Sequence, residues 1–230
     1  MASQRLIRWS GLAAMLGGLL WMVLGALAGM TAGPTKVLGL TEGAYCRMFT
    51  VSLLLVTAGL AGLYARQAGR FGRLGAAGFV LAFIGLALMV LGNVIEWWIS
   101  DLMFADVPLG EFKPGTHAGW GIFGVGFCVL AVGLVLVGIA TIQAKALPRW
   151  SRALPLVIGL LPASGFLVAL SIGEWGFELI LPSPGLGWML LGYALYRKDP
   201  VFILGQAFGV FVYLRNLQFI IRSRRIAMAA

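Results

Sequence analysis

The feature that most constrains this chain is a series of long apolar runs, separated by short segments that hold most of its charged residues. A helix needs about 20 apolar residues to cross the hydrocarbon core of a bilayer, and the runs are of this length. Strands of a membrane barrel would be about 10 residues long and would alternate apolar with polar residues, a pattern that is absent here. The sequence therefore predicts an all-α bundle of membrane-spanning helices.

Charge, glycine or proline bounds each apolar run, and these boundaries predict seven spans. The predicted spans are Trp9–Thr31, Met48–Ala65, Leu74–Ile99, Ala118–Ile142, Leu154–Ile172, Leu179–Tyr196 and Pro200–Ile221. Because Pro182 and Pro184 interrupt the start of the sixth run, six spans or a re-entrant sixth segment is the alternative. We expect a multi-span bundle over residues 1–180 and a C-terminal helical hairpin over residues 181–230.

Lysine and arginine collect in alternate gaps between the runs. These cations are Arg5, Arg8, Arg66, Arg70, Arg73, Lys145, Arg149 and Arg152. The positive-inside rule predicts that these gaps, and with them the N-terminus, are cytoplasmic. Arg222, Arg224 and Arg225 oppose this topology if the last helix crosses, so that helix either violates the rule or lies along the membrane surface. The start of the chain also fits a signal peptide with its apolar core at Gly11–Gly25.

The sequence contains no recognisable catalytic arrangement. The formal charge of +9 is distributed over separate short clusters, which does not predict nucleic-acid binding. No serine or cysteine triad, glycine-rich phosphate loop or set of histidines and cysteines at metal-ligand spacing is present in it. We therefore expect a non-enzymatic protein without a cofactor or a metal site.

Polar residues at one end of the third span and in the acidic gaps are the first candidate site. Asn93 and Glu96 are three residues apart and share a helix face close to the predicted outer interface. The candidate outer polar mouth comprises Asn93, Glu96, Asp101, His117, Glu174 and Glu178. It would receive a cation or a basic head group. The alternative is a solvated interface whose acids lie beside an aromatic belt.

A weak internal repeat relates the first and third spans. Residues 11–25, "GLAAMLGGLLWMVLG", align without gaps on residues 78–92, "GFVLAFIGLALMVLG". The repeat is compatible with a duplicated helical hairpin, as in some transporters, or with chance similarity between glycine-rich helices.

The C-terminal part of the chain carries a family resemblance. The motifs are "YALY" at 193–196, "DPVFILGQ" at 199–206 and "YLRN" at 213–216. Segment 188–221 thus resembles the second half of the lipid A biosynthesis N-terminal domain, a family of small membrane-helix bundles often associated with enzymes of lipid-linked sugars. The resemblance implies a bacterial inner membrane and glycolipid handling.

The resemblance leads to a candidate head-group site and to the leading functional hypothesis. The candidate residues are Asp199, Gln206, Tyr213, Arg215 and Asn216. We expect a non-enzymatic inner-membrane protein that binds or presents an envelope glycolipid or a lipid-linked sugar, with an anionic glycolipid as its partner. A small-solute or cation transporter is one alternative. A scaffold or stabilising subunit that associates with other membrane proteins is another.

Overall fold

The computed structural model describes residues 4–30, 37–100, 116–161 and 183–196. Its helices are α1 (Gln4–Met30), α2 (Glu42–Gln67), α3 (Arg73–Val94), α4 (Thr116–Ala144), α5 (154–161) and α6 (Ser183–Tyr196). A π-helical segment, Ile95–Ser100, directly follows α3. The described residues form no strand beyond one isolated bridge, and all of them belong to one compact unit, Met1–Arg197. The predicted all-α fold class is confirmed.

Four helices are long and apolar enough to cross a bilayer. They are Gln4–Leu27, Gly43–Gln67, Arg73–Ile99 and Ala118–Ala144. These helices correspond to the first four predicted spans. Only 33–39% of the residues in their apolar windows are buried, so most of this surface faces outward, where a bilayer would cover it. The predicted fifth span is described only at 154–161, the sixth contains the 14-residue α6, and the seventh lies outside the described residues. The count of seven spans therefore stays a prediction.

Helices α3 and α4 pack against each other along a row of glycines spaced seven residues apart. The row consists of Gly78, Gly85 and Gly92 on α3 and Gly133, Gly126 and Gly119 on α4. The glycines meet in antiparallel order. A Cβ atom at Gly126 would lie 2.7 Å from the carbonyl oxygen of Gly85, so the two backbones are in direct contact. Small residues permit this close approach, which lets dispersion contacts extend along the whole pair.

Helix α6 uses the same arrangement against α1. Gly192 lies against Gly11, and Gly185 lies against Gly18, again with seven residues between successive contacts. A Cβ atom at Gly192 or at Gly185 would lie 2.5 Å from the carbonyl oxygen of its partner glycine. The two helices are therefore antiparallel, with their backbones in contact.

A different face of α1 packs against α2. A Cβ atom at Gly59 would collide with the Cβ of Ala14, and the Ser52 hydroxyl donates a 2.7 Å hydrogen bond to the carbonyl oxygen of Gly17. Helix α5 packs on α4, where a Cβ atom at Gly159 would lie 2.8 Å from the carbonyl oxygen of Ala131. Helix α1 therefore packs closely against both α2 and α6, and α4 packs closely against both α3 and α5.

The antiparallel order brings the predicted basic gaps to one end of the bundle, here called the basic end. The start of α1 lies at the end of α2, because a Cβ atom at Gly62 would collide with Ser10. The start of α3 lies at the end of α4, because a Cβ atom at Gly75 would lie 2.9 Å from the Cβ of Ala140. The π-helical segment that follows α3 lies at the opposite end.

Candidate functional site

The structure describes only part of the two candidate sites. The predicted head-group residues, Asp199, Gln206, Tyr213, Arg215 and Asn216, lie outside the described residues. Of the outer polar mouth, Asp101, Glu174 and Glu178 also lie outside them, and His117 is described only as a backbone position at the start of α4. Asn93 and Glu96 are fully described, and they stand at the end of the bundle opposite the basic end.

Asn93 belongs to a short hydrogen-bonded chain between α2 and α3. The Thr50 hydroxyl donates a 2.6 Å hydrogen bond to Asn93 Oδ1, and the Trp98 indole N–H donates a 3.2 Å bond to Thr50 Oγ1. Asn93 is buried, at 5% exposed. Sequence reasoning missed Thr50, because the two partners are 43 residues apart and no local pattern connects them.

Glu96 is a buried carboxylic residue against the first turn of α4. It is 8% exposed, and a Cβ atom at Gly119 would lie 2.7 Å from the Glu96 Cβ. The positive end of a helix dipole favours a negative charge at this position. π-Helical turns are rare and often occur at functional sites, and Glu96 lies in the first turn of one. The Glu96 side chain is therefore packed between α4 and the end of α3.

An aromatic chain surrounds this end of the bundle. Trp97 packs edge-on against Trp120 at 6.3 Å, and Trp120 packs against Phe123 at 5.8 Å between ring centroids. Phe49 joins Phe123 at 6.3 Å to Trp21 at 5.0 Å. Phe49 and Trp97 are the chain neighbours of Thr50 and Glu96, so these rings lie at the same level as the polar residues. Tryptophan side chains are typical of the membrane–water interface.

A second buried polar contact lies at the basic end. Gln67 Nε2 donates a 2.7 Å hydrogen bond to Thr141 Oγ1, and the Thr141 hydroxyl donates in turn to the carbonyl oxygen of Val137. Gln67 and Thr141 are both fully buried. The contact fixes the end of α2 to the end of α4. The sequence shows a glutamine directly after Arg66 at the end of a span, but it does not show that Thr141 on another helix is its partner.

Helix α6 helps to form a narrow apolar pocket. Its described lining consists of Trp21, Phe127, Leu130, Ala131, Leu134, Ile158, Pro184 and Trp188. Trp188 is fully buried, and its indole N–H has no acceptor among the described residues. The enclosed space is only about 10 Å³, so this pocket is a small gap in the apolar packing between α1, α4, α5 and α6. No group of three or more metal-ligating side chains occurs in the described part of the chain.

Comparison with known families confirms the resemblance of the C-terminal part. Residues 183–218 match the Lipid A Biosynthesis N-terminal domain family. The match begins at the first residue of α6, five residues before the predicted start of the resemblance, and it includes all five predicted head-group residues. No curated protein and no solved structure matches the chain. The matched segment thus begins with a helix that packs into the bundle through Gly185 and Gly192.

Proposed function

We propose that this protein binds or presents an anionic glycolipid or lipid-linked sugar in a bacterial inner membrane, with its N-terminus on the cytoplasmic side. The family match over residues 183–218 carries this proposal, because that family is named for lipid A biosynthesis. The basic end supports the orientation, since the positive-inside rule assigns such an end to the cytoplasm.

The chemistry of the matched residues fits an anionic sugar lipid. Arg215 offers a planar cation with several donors, which suits the phosphate of a glycolipid. Gln206 and Asn216 offer amide groups that can bond sugar hydroxyls or acyl amides. The chemistry of these residues therefore addresses the polar head of such a ligand.

The proposal is tested by removing the cation of the matched segment. The variant is Arg215→Ala, and Arg222→Ala is the matched control because that arginine lies beyond the matched residues. A charged hydrogen bond contributes about 1.5–3 kcal/mol, so we expect about tenfold or greater loss of copurified anionic glycolipid in Arg215→Ala only. Lipid per protein is counted by native mass spectrometry. Equal lipid content in Arg215→Ala and the unaltered protein would reject the proposal.

Transport of a cation or small solute is a second candidate, and the burial of Glu96 favours it. An ionisable residue inside a membrane bundle is costly and often marks a translocation pathway. Asn93 and Thr50 add polar atoms at the same level. Flux of monovalent cations into proteoliposomes distinguishes the two functions, because a lipid-presenting protein would show only the leak of protein-free vesicles.

A further inference from the structure

The most basic surface in the described part of the chain is formed by two neighbouring loops at the basic end. We call it the basic platform, and its cations are Arg66, Arg70, Arg73, Lys145, Arg149 and Arg152. Arg66 and Arg73 flank the loop between α2 and α3, and Arg70 lies within it. The other three cations lie in the loop between α4 and α5. Arg70, Arg73, Lys145 and Arg149 are exposed.

The buried hydrogen bond between Gln67 and Thr141 brings the two loops together. Gln67 is next to Arg66, and Thr141 precedes Lys145 by four residues, which is about 6 Å along a helix axis. The packing of Gly75 against Ala140 holds the start of α3 at the same level. Cations that are distant in sequence therefore lie at the same end of neighbouring helices.

The loop between α2 and α3 is folded by aromatic packing. The Phe71 ring lies 5.2 Å from Tyr64 and 5.1 Å from Phe79 between centroids, which anchors the loop to both helices. The backbone N–H of Arg70 donates a 2.9 Å hydrogen bond to the carbonyl oxygen of Gln67. Arg70 thus extends from a fixed backbone.

The loop between α4 and α5 is ordered by its own hydrogen bonds. Arg152 Nε donates a 2.9 Å bond to the carbonyl oxygen of Leu147, and the buried Ser151 donates its backbone N–H to the carbonyl oxygen of Pro148 at 3.0 Å. A fixed backbone lowers the entropic cost of collecting several cations around one anion.

Acidic side chains from the described residues do not neutralise the platform. Residues 43–95 and 112–173 contain no aspartate or glutamate. The two acids in the described ranges, Glu42 and Glu96, lie at the far ends of α2 and of the α3 extension. Among the described residues, no carboxylate therefore lies at the end of the bundle that carries the platform.

Apolar surface adjoins the platform on the helices that it joins. Tyr64, Leu74 and Ile142 are 40–44% exposed, and each lies within a few residues of a platform cation. A soluble anion would contact only the cations. A phospholipid would use both surfaces, with its phosphate at the cations and its acyl chains along the apolar helix faces.

We propose that the basic platform is a binding site for the phosphate head group of an anionic diacyl phospholipid. This site goes beyond the proposed glycolipid function and does not depend on it, because all of its residues precede the matched segment. Arginine from both loops would bind the phosphate oxygens, since the guanidinium group suits bidentate contacts with phosphate.

The test compares two double variants of the purified full-length chain in nanodiscs. Arg70→Gln with Arg149→Gln removes one exposed cation from each loop, and Arg5→Gln with Arg8→Gln removes two exposed cations from the start of α1 at the same end. The measurement is retention of phosphatidylglycerol over phosphatidylcholine by native mass spectrometry. Arg70 and Arg149 would bind the lipid phosphate through charged hydrogen bonds, whereas Arg5 and Arg8 would attract anionic lipid only through general surface charge. We therefore expect about tenfold loss of selectivity in the platform variant and about twofold or less in the control.

Three outcomes would overturn the proposal. Equal losses in both double variants would indicate a general effect of net charge and not a defined site. No preference for phosphatidylglycerol in the unaltered protein would exclude an anionic-lipid site. Displacement of the lipid by millimolar glycerol phosphate would assign the platform to a soluble phosphate. The helical circular dichroism of each variant, measured in parallel, confirms that these surface changes leave the fold intact.

Discussion

Substitution of Gly126 by alanine tests whether direct backbone contact holds α3 and α4 together. A Cβ atom at this position would lie 2.7 Å from both the carbonyl oxygen of Gly85 and the backbone nitrogen of Met89. Ordinary contacts of a Cβ atom begin at 3.4 Å, so the local separation must grow by about 0.7 Å. Both neighbouring atoms belong to a helix backbone and cannot rotate away. The pair can relieve the clash only by moving apart.

Two opposing effects set the expected change in the free energy of unfolding. Overpacking of a tight interface costs about 1–3 kcal/mol, and the better helix propensity of alanine returns about 0.5–1 kcal/mol. We therefore expect Gly126→Ala to lower the free energy of unfolding by about 0.5–2 kcal/mol. Gly124→Ala is the matched control in the same helix, since no atom of the described residues lies within 4 Å of a Cβ atom at that position. That control should be neutral or slightly stabilising.

The assay is reversible unfolding in mixed detergent and dodecyl sulfate micelles, followed by helical circular dichroism. The effects of Gly126→Ala and Gly85→Ala on stability should also be coupled. Gly85→Ala opens the same crossing, so the cost of the double variant should be smaller than the sum of the two single costs. If Gly126→Ala and Gly124→Ala unfold at the same detergent fraction, the glycine contacts do not limit stability and the argument fails.

Two further predictions concern other helix contacts. Thr141→Val should lower the free energy of unfolding by about 1–3 kcal/mol in the same assay, because it leaves the buried Gln67 amide without its acceptor. Adding Gln67→Leu should restore most of that loss. A double variant as unstable as Thr141→Val would contradict this prediction. Gly192→Leu should loosen α6 from α1, since a Cβ atom there would lie 2.5 Å from the carbonyl oxygen of Gly11. We expect faster proteolysis of α6 than in the Gly121→Leu control, because a Cβ atom at Gly121 has no neighbour within 4 Å in the described part of the chain. Equal cleavage of the two variants would refute the contact.

The first four spans were predictable from hydropathy because the bilayer sets the length of an apolar helix. The prediction for the start of α2 was less accurate. The prediction placed it at Met48, where the charged residues end, whereas the helix begins at Glu42 and includes Arg47. Hydropathy locates the boundary of the hydrocarbon layer, but backbone hydrogen bonding continues a helix into the interface, where cations are tolerated. Boundaries of this kind are therefore biased toward short spans.

The packing faces were not predictable from composition, because the chain contains 33 glycines and most patterns of small residues occur by chance. Glycines also recur four residues apart, as at Gly25 and Gly29, and this is the spacing usually associated with close helix packing in membranes. The contacts between α3 and α4 and between α1 and α6 use an interval of seven, as between Gly78 and Gly85. Antiparallel helices that cross at a small angle stay in contact over several turns, and the same face returns about every seven residues. Only the pairing of helices in space distinguishes the two intervals.

The weak repeat between residues 11–25 and 78–92 acquires a physical meaning from these contacts. The alignment pairs Gly11 with Gly78 and Gly18 with Gly85, and all four make backbone contacts of the same type. Their partner helices differ, because α1 presents these glycines to α6 and α3 presents them to α4. A packing requirement for glycine every seventh residue is sufficient to align the two segments, so the duplication stays a prediction. Helix α6, which begins the family match, thus packs against α1 by the same glycine spacing that joins α4 to α3.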